Sequence, residues 1–482
     1  MDPCYVFPPS DATHATLTHD SGWTAESYPA THPSGREGWA FDIPDGTPNG
    51  NGARLTFFKN DKELLWLRGV LYLTNPTGVG LEVDDYTSVK SHVRPFERSG
   101  LVRLNRNQWV DDAGPWWPFG TTLMWAIGGY MREGPDRVRQ NFQWMFEHGH
   151  DCVRILGKVN WHGQSFDPRD PGYALGPVID LAWECGLRTH LCVTGGGDDP
   201  VGAAHAMVPM LEGRQHRLLL IESVNEQNAS EDDAVRIAQI MAPLGVPTAV
   251  GLGNIGLDAI NQATEAAHCA VGLLHEERST DPARNIRQCW DFRLLHGAPG
   301  CTEPQGPASS VAEETMPANL ASARFARILC GAGLMCKHTG HGVFGNTYPY
   351  NANTPPGEFH SDTRCANLWE APLAAEQSDA MVNAVAHLPV GCENWSPFNQ
   401  GHPVDIPAGN VSKLYGCIDG GRFCEIAIGA YGGPVTFRAV QPCHLTIVNI
   451  GTAAVLVDDH FAQGARVTVD GLFCYGLIGT LG

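Results

Sequence analysis

Between about residue 120 and residue 388 the chain alternates short apolar runs with amphipathic stretches eight times. "TTLMWAIGG", "DCVRILG", "LRTHLCVTGGG", "RLLLIES", "VPTAVGLG", "CAVGLLHEE", "APGCTEPQGP" and "AGLMCKHTGHG" have strand length. The segments between them have helical spacing. "GPDRVRQNFQWMFEHG" places Val138, Phe142, Met145 and Phe146 on one face and stops at Gly149. Ser230 opens "SEDDAVRIAQIMAPLG" as an N-cap. Near-continuous apolar strands are what a parallel sheet requires when helices cover it. Eight strands and eight helices predict a (β/α)8 TIM barrel over 111–388. A doubly wound open sheet is the alternative. No strand-to-helix turn carries GxGxxG, and "TGGGDD" has the wrong spacing for it.

The flanks read as β structure. Residues 1–110 hold short apolar runs ("ARLTFFKN", "ELLWLRGVLYLTN", "VGLEVDDYTSV") split by Gly, Asn, Pro and Asp, which predicts an N-terminal β-rich region. "LVRLNRNQWVDDAGP" reads as a hairpin with Asp111 and Asp112 near its turn. From 389 to 482, six short strands at regular spacing predict a C-terminal β-sandwich. The fold class is therefore α/β, a barrel between two β regions. A length of 482 residues is more than one ordinary core can serve.

The formal net charge is -20, which argues against nucleic acid as a partner and fits a neutral one better. No stretch reaches the roughly 18 to 20 apolar residues of a membrane span. "MDPCYVFPPSDATHATLTHD" has neither a basic start nor an apolar core, so no Sec signal peptide is expected, and the chain would be cytoplasmic or released by a non-Sec route. The 15 cysteines form no CxxC pair, and many sit inside apolar segments, as reduced thiols do. Oligomeric state is not legible.

Barrel chemistry sits at the C-terminal ends of the strands. There stand Gly128, Gly129 and Tyr130 after strand one; Arg154 on strand two, with Asn160, Trp161 and His162 after it; and Asp198 and Asp199 after strand three. Strand four ends in Asn225 and Glu226, strand six in His275, Glu276 and Glu277, strand seven in Glu303, and strand eight in Lys337, His338 and His341. Glu226 and Glu303 would converge on one rim. Cleaving a glycosidic bond with retention needs two carboxyls about 5 to 5.5 Å apart. One stays protonated, through burial and an anionic neighbour, to donate to the leaving oxygen; the other attacks the anomeric carbon. Arg154 is placed to hold the attacking carboxylate ionised.

Three stretches carry a resemblance. "SVNEQN" at the end of strand four, "CVRIL" in strand two and "GCTEPQGP" in strand seven are similar to the motifs of the clan A glycoside hydrolases, the cellulase-like retaining barrel glycosidases. The resemblance covers about half the chain. It implies that Glu226 is the acid/base, that Asn225 binds the substrate 2-hydroxyl, and that Glu303 is the nucleophile. At strand six, "LLHEERS" departs from the clan's tyrosine; His275 would take its hydrogen-bonding role, with Glu276 a competing carboxylate. The clan's strand-eight tryptophan is missing from "MCKHTGHGVFG", and His338, Phe344 or Trp369 would substitute as the sugar platform.

Trp116, Trp117, Trp125 and Trp161 can stack on sugar faces or pack in the core. Trp125, inside the first apolar run, reads as core, and Trp161, with His162 beside it, as sugar-facing. The leading expectation is a retaining O-glycosyl hydrolase acting on β-linked oligo- or polysaccharide, with no cofactor. A non-catalytic carbohydrate-binding or virion-associated barrel protein is one alternative. A metal-dependent barrel hydrolase is another: His338 and His341 invite it, with His162 or Asp198 as further ligands, but no HExxH and no second tight ligand pair support a metal site.

Overall fold

A computed structural model describes residues 4–6, 12–19, 22–31, 37–44, 50–60, 62–71, 99–161, 164–226, 228–252, 257–275, 298–303, 316–344, 367–371, 373–398, 401–408, 411–429, 434–470 and 474–482. The chain forms two compact units, Met1–Arg94 and Pro95–Gly482.

The first unit holds two antiparallel sheets. One pairs Cys4–Val6 with Glu37–Phe41 and that strand with Tyr28–Thr31; the other orders Thr24–Glu26, His14–His19, Gly50–Lys59 and Lys62–Leu71. Ala15, Leu17, Ala40, Phe41 and Phe57 are buried. The expected β-rich region is therefore present.

In the second unit, eight parallel strands close into a barrel. In chain order they are β1 (Phe119–Thr122), β2 (Cys152–Leu156), β3 (Arg188–Thr194), β4 (Leu218–Val224), β5 (Thr248–Val250), β6 (Val271–His275), β7 (Ala298–Glu303) and β8 (Leu334–Lys337). Closure occurs at β1, where Gly120 pairs with Cys152 of β2 on one side and Cys336 of β8 on the other. A side chain on Gly120 would put its Cβ 2.4 Å from the Cys152 carbonyl oxygen. The connecting helices are α1 (Ala126–Glu133), α2 (Pro135–Glu147), α3 (Leu175–Glu184), α4 (Pro200–Leu211), α5 (Glu231–Met241), α6 (Leu257–Ala266) and α7 (Pro317–Leu329). Beyond β8 come the short α8 (Gly340–Phe344) and α9 (Ala374–Asn383). The helix expected in "PARNIRQCWDFRLLHG" lies outside the described residues. No helix of the described residues is long and apolar enough to cross a membrane.

The strands behave as a two-sided surface. Val153, Ile155, Leu191, Val193 and Ile221 pack outward under the helices. The alternate residues Cys152, Leu220, Ala249, Leu273, Leu334 and Cys336 fill the lower interior with Trp109 and Trp116. Those tryptophans belong to a three-stranded antiparallel sheet (Arg103–Asn105, Gln108–Asp111, Gly114–Trp116), the expected hairpin with one strand more. It covers the N-terminal end of the barrel. A buried ion pair ties it there, Arg188 Nη2 to Asp111 Oδ2 at 2.9 Å.

Strand one differs from its sequence reading. The apolar run that suggested it continues from Leu123 to Ile127, but the strand stops at Thr122 and a helix begins at Ala126. Leu123, Met124, Trp125, Ala126 and Ile127 are all buried, so one apolar stretch serves a strand end, a turn and a helix start. Trp125 precedes the helix instead of lying in a strand. Gly128, Gly129 and Tyr130 are helical residues and do not form a strand-end loop.

After α9 the chain builds a β-sandwich. A six-stranded antiparallel sheet orders Ser396–Pro397, Val411–Asp419, Arg422–Gly429, Cys474–Leu481, Cys443–Asn449 and Val455–Phe461. A three-stranded sheet orders Val404–Ala408, Val435–Ala439 and Arg466–Val469. Phe423, Leu445, Tyr475 and Leu477 of the first meet Val435, Phe437 and Val469 of the second in one core. The large sheet's other face lies on α7, where Gly476 admits the Phe325 ring: a Cβ there would meet it at 3.0 Å.

Candidate active site

β4 is buried along its whole length and then delivers two polar residues to the barrel's C-terminal end. The Asn225 N–H still donates to the Thr194 carbonyl at 2.8 Å, so Asn225 is held on the sheet. At Glu226 the chain turns with φ 51°, the left-handed region that few non-glycine residues occupy. Such strain persists where the surroundings over-determine it, and it clusters at functional sites. Asn228 N–H donates back to the Asn225 carbonyl at 3.2 Å. Two residues later Ser230 caps α5, its hydroxyl accepting from the Asp233 N–H at 3.1 Å. Glu226 is thus half-buried on a short turn fixed at both ends.

Below it lies a charged network. Glu222, to which the sequence assigned no role, takes both Nε and Nη2 of Arg154 at 2.8 Å. The same Nη2 donates to Asn225 Oδ1 at 2.7 Å, which leaves the Asn225 Nδ2 as the donor group. The side chains of Arg154 and Glu222 are 0% exposed. A carboxylate and a guanidinium survive such burial only as a pair. Arg154 was expected beside the strand-seven carboxylate; the carboxylate that the described side chains place on its guanidinium is Glu222. Two opposite charges in two apolar strands, both at inward positions, were the signal for the pair. His190 Nε2 lies 3.0 Å from Glu222 Oε2. On the other side of the ring, Cys336 Sγ lies 3.7 Å from Nδ1. Burial opposes the His190 proton, but its contacts with Cys336 and Glu222 outweigh that and raise its pKa.

Glu303 is the last residue of β7 and His275 the last of β6, and the two pair across a register shift. Both therefore end at the same rim as Asn225 and Glu226, because the strands are parallel. Their side chains, the Trp161 side chain and all of His162 lie outside the described residues, as do Glu276 and Glu277. The backbone of Trp161 is in a hairpin above β2, Val159–Trp161 paired with Gln164–Phe166. Lys158 at its base pairs with Asp167 at 3.0 Å, and Arg169 holds the Asp167 carboxyl well below its usual range.

Other rim residues have these contacts. His338 is buried, its Nδ1 3.3 Å from Thr122 Oγ1. Trp125 is fully buried and its indole donates to the His341 carbonyl at 2.8 Å. Lys337 points under α9, donating to the Ala374 carbonyl at 2.9 Å and Ser378 Oγ at 3.1 Å. Asp199 caps α4 through the Gly202 N–H and pairs with Arg169 at 2.6 Å. Trp116 and Trp117 precede β1 and stand at the barrel's other end, where the Trp117 indole donates to Glu393 Oε2 at 3.0 Å; the sugar-stacking role considered for them does not hold. Trp369 sits on a turn bonded to Asn141 of α2, on the barrel flank. Among the described residues, no group of three His, Cys, Asp or Glu side chains is placed to hold a metal ion.

No protein-family model matches the chain, and no curated protein matches it. Solved structures do. A structure described as a glycoside hydrolase is similar over 81% of this chain and 98% of its own, with a TM-score of 0.56 and 11% identity. A family 5 glycoside hydrolase from Bacteroides vulgatus ATCC 8482 is similar over 80% of this chain and 94% of its own, with a TM-score of 0.54 and 12% identity. At such identity the likeness concerns the course of the backbone. The likeness is one of fold: a (β/α)8 barrel followed by a β-sandwich, the architecture this chain shares with these two glycoside hydrolase structures.

Proposed function

We propose that the chain is a retaining glycoside hydrolase acting on β-linked oligo- or polysaccharide, with Glu226 as acid/base and Glu303 as nucleophile. The observation that carries this reading is the Asn225–Glu226 turn, fixed at the barrel's C-terminal rim by the buried Glu222–Arg154 pair. β7 ends at the same rim in Glu303. In the first step Glu226 gives its proton to the glycosidic oxygen while a Glu303 oxygen bonds the anomeric carbon, and the aglycone leaves as an alcohol. In the second step Glu226, now a carboxylate, takes a proton from water as the water oxygen displaces Glu303. Two inversions restore the starting configuration. The Asn225 Nδ2 donor, beside Glu226, would bind the hydroxyl next to the anomeric carbon.

The test is a panel of aryl β-glycosides and β-glycans with wild type, Glu226→Gln and Glu303→Gln. Each variant is expected to lose about a hundredfold or more of kcat/KM, the ordinary scale for a general acid or a nucleophile. Unchanged hydrolysis in either variant overturns the residue assignment. Glycan binding by wild type with no turnover on any substrate would instead favour a carbohydrate-binding barrel.

A further inference from the structure

The rim carries polar residues that the proposed reaction leaves idle, and they gather between β2, β3 and β4. Past β3 the chain runs through Gly196 and Gly197, at φ 126° and 94°. That backbone suits glycine and few other residues, so two positions in a row are bare of side chains. Asn160 and Asn228 flank them. A Cβ on Gly197 would stand 3.3 Å from the Asn160 Cβ, and one on Gly196 would stand 3.6 Å from Asn228 Oδ1. Asn228 Nδ2 donates to the Asn225 carbonyl at 2.5 Å, and its Oδ1 faces Gly196. Asn225 precedes Glu226, so the group adjoins the proposed acid/base. Asn160 is exposed, and among the described residues neither its amide nor Asn228 Oδ1 has a hydrogen-bond partner. The lip is braced from below. Buried Lys158 pairs with Asp167 at 3.0 Å and donates to the Asp198 carbonyl. Arg169 pairs with Asp167 and with Asp199, each at 2.6 Å. The segments that follow β2 and β3 are thus tied together around Asn160 and Gly197.

We propose that Asn160 and Asn228, on the two flanks of Gly196 and Gly197, form a further sugar-binding subsite that takes a neutral sugar unit of the chain beyond the bond being cleaved. The inference rests on the function proposed above. A carboxamide offers both a donor and an acceptor, as a sugar hydroxyl does, so the two groups match. Two bare glycines let a pyranose ring approach the backbone closely. Because Lys158 and Arg169 hold the loops in place, little ordering remains to be done when a sugar arrives. The charges select a neutral unit. Asp198, exposed, follows Gly197 directly, while Lys158 and Arg169 are already engaged by Asp167 and Asp199. A uronate carboxylate entering here would face Asp198, and both neighbouring cations would be spoken for.

The probes are β-1,4-linked gluco- and manno-oligosaccharides of two to six units, β-1,3-linked gluco-oligosaccharides of the same lengths, and the β-1,4-linked uronate counterparts of the first two. Binding is measured by titration calorimetry in the Glu226→Gln background, and turnover with Glu226 intact. Asn160→Ala, at an exposed position, is expected to weaken binding of the longer neutral chains by about three- to tenfold, the scale of one lost hydrogen bond, and to lower kcat/KM on them by the same factor. The loss is expected to shrink with chain length and to be smallest on an aryl monoglycoside. Asn228→Ala should show the same length dependence, and the uronate chains should bind at least tenfold more weakly than the neutral ones. If Asn160→Ala weakens binding of the longer chains but the protein with Glu226 intact hydrolyses nothing, the functional reading fails and the subsite stands. If Asn160→Ala leaves every length unaffected, or lowers all of them equally with the aryl monoglycoside included, the subsite is overturned, whether or not the protein is a hydrolase. Absence of binding by all the neutral chains overturns it too, and uronate chains that bind as tightly as neutral ones overturn its neutrality. Should Asn228→Ala not fold, the length dependence in Asn160→Ala decides alone.

Discussion

Glu222 is where the physics of the barrel interior is most exposed to experiment. Its side chain is 0% exposed and sits on Arg154 at two points. Removing one member of such a pair leaves an uncompensated buried charge, at a cost of about 3 to 5 kcal/mol. Glu222→Ala should therefore lower the urea midpoint strongly with little change in m, and an equilibrium denaturation curve checks it. A midpoint within error of wild type would mean that Arg154 finds solvent or another partner. At this scale the sequence was legible where a polar residue interrupts an apolar run at a strand end, as at Asn225–Glu226. Arg154 was legible as a cation set to hold a carboxylate, but its described partner was not the expected one, because strand periodicity says which way a side chain points and not which strand it meets. Glu222 was passed over for the same reason. Its relevance depends on β2, β3 and β4 standing side by side, which no local pattern shows.

Among the elements, the eight barrel strands were legible because each is an apolar run bounded by turn residues and separated by helical spacing. Strand one was misplaced because apolar residues continue from it through the turn into α1, and periodicity cannot divide a run that is buried throughout. The hairpin below the barrel was legible from "DDAG"; its role as a cover for the N-terminal end was not, since that depends on Arg188 reaching Asp111. The seat of the sandwich on α7 depends on one small residue. A Cβ at position 476 would lie 2.7 Å from Val448 and 3.0 Å from the Phe325 ring. Gly476→Ala is expected to cost about 1 to 3 kcal/mol, the usual range for overpacking. Differential scanning calorimetry should show a lower Tm, and limited proteolysis should show earlier release of the sandwich. An unchanged melt would mean that the sheet can shift on the helix at no cost.

For the molecule as a whole, one of the groups through which acidity of the medium acts is a buried carboxyl of the sandwich. Glu425 lies in the sandwich with its side chain 0% exposed, and His402 Nδ1 is 2.8 Å from its Oε1. Burial pushes its pKa up to about 7, the histidine only partly opposing this. The folded chain therefore holds a proton that the unfolded chain, with a glutamate near its ordinary value, has already released. The Glu425 contribution to stability is fully present below the unfolded value, falls as pH rises through the window up to about 7, and is gone above it, a change on the order of 3 kcal/mol. Melting curves from pH 4.5 to 8 should show that slope in wild type and lose it in Glu425→Gln; an equal slope in both would assign it elsewhere.

The central claim is that the rim of this barrel cleaves glycosidic bonds by two successive inversions, with carboxylates from β4 and β7. The anomeric form of the first-formed product tests it most directly. Hydrolysis of a β-linked substrate, followed by proton NMR from the first minutes and before mutarotation, is predicted to release the β-anomer. Release of the α-anomer would mean a single inversion by activated water and would contradict the account.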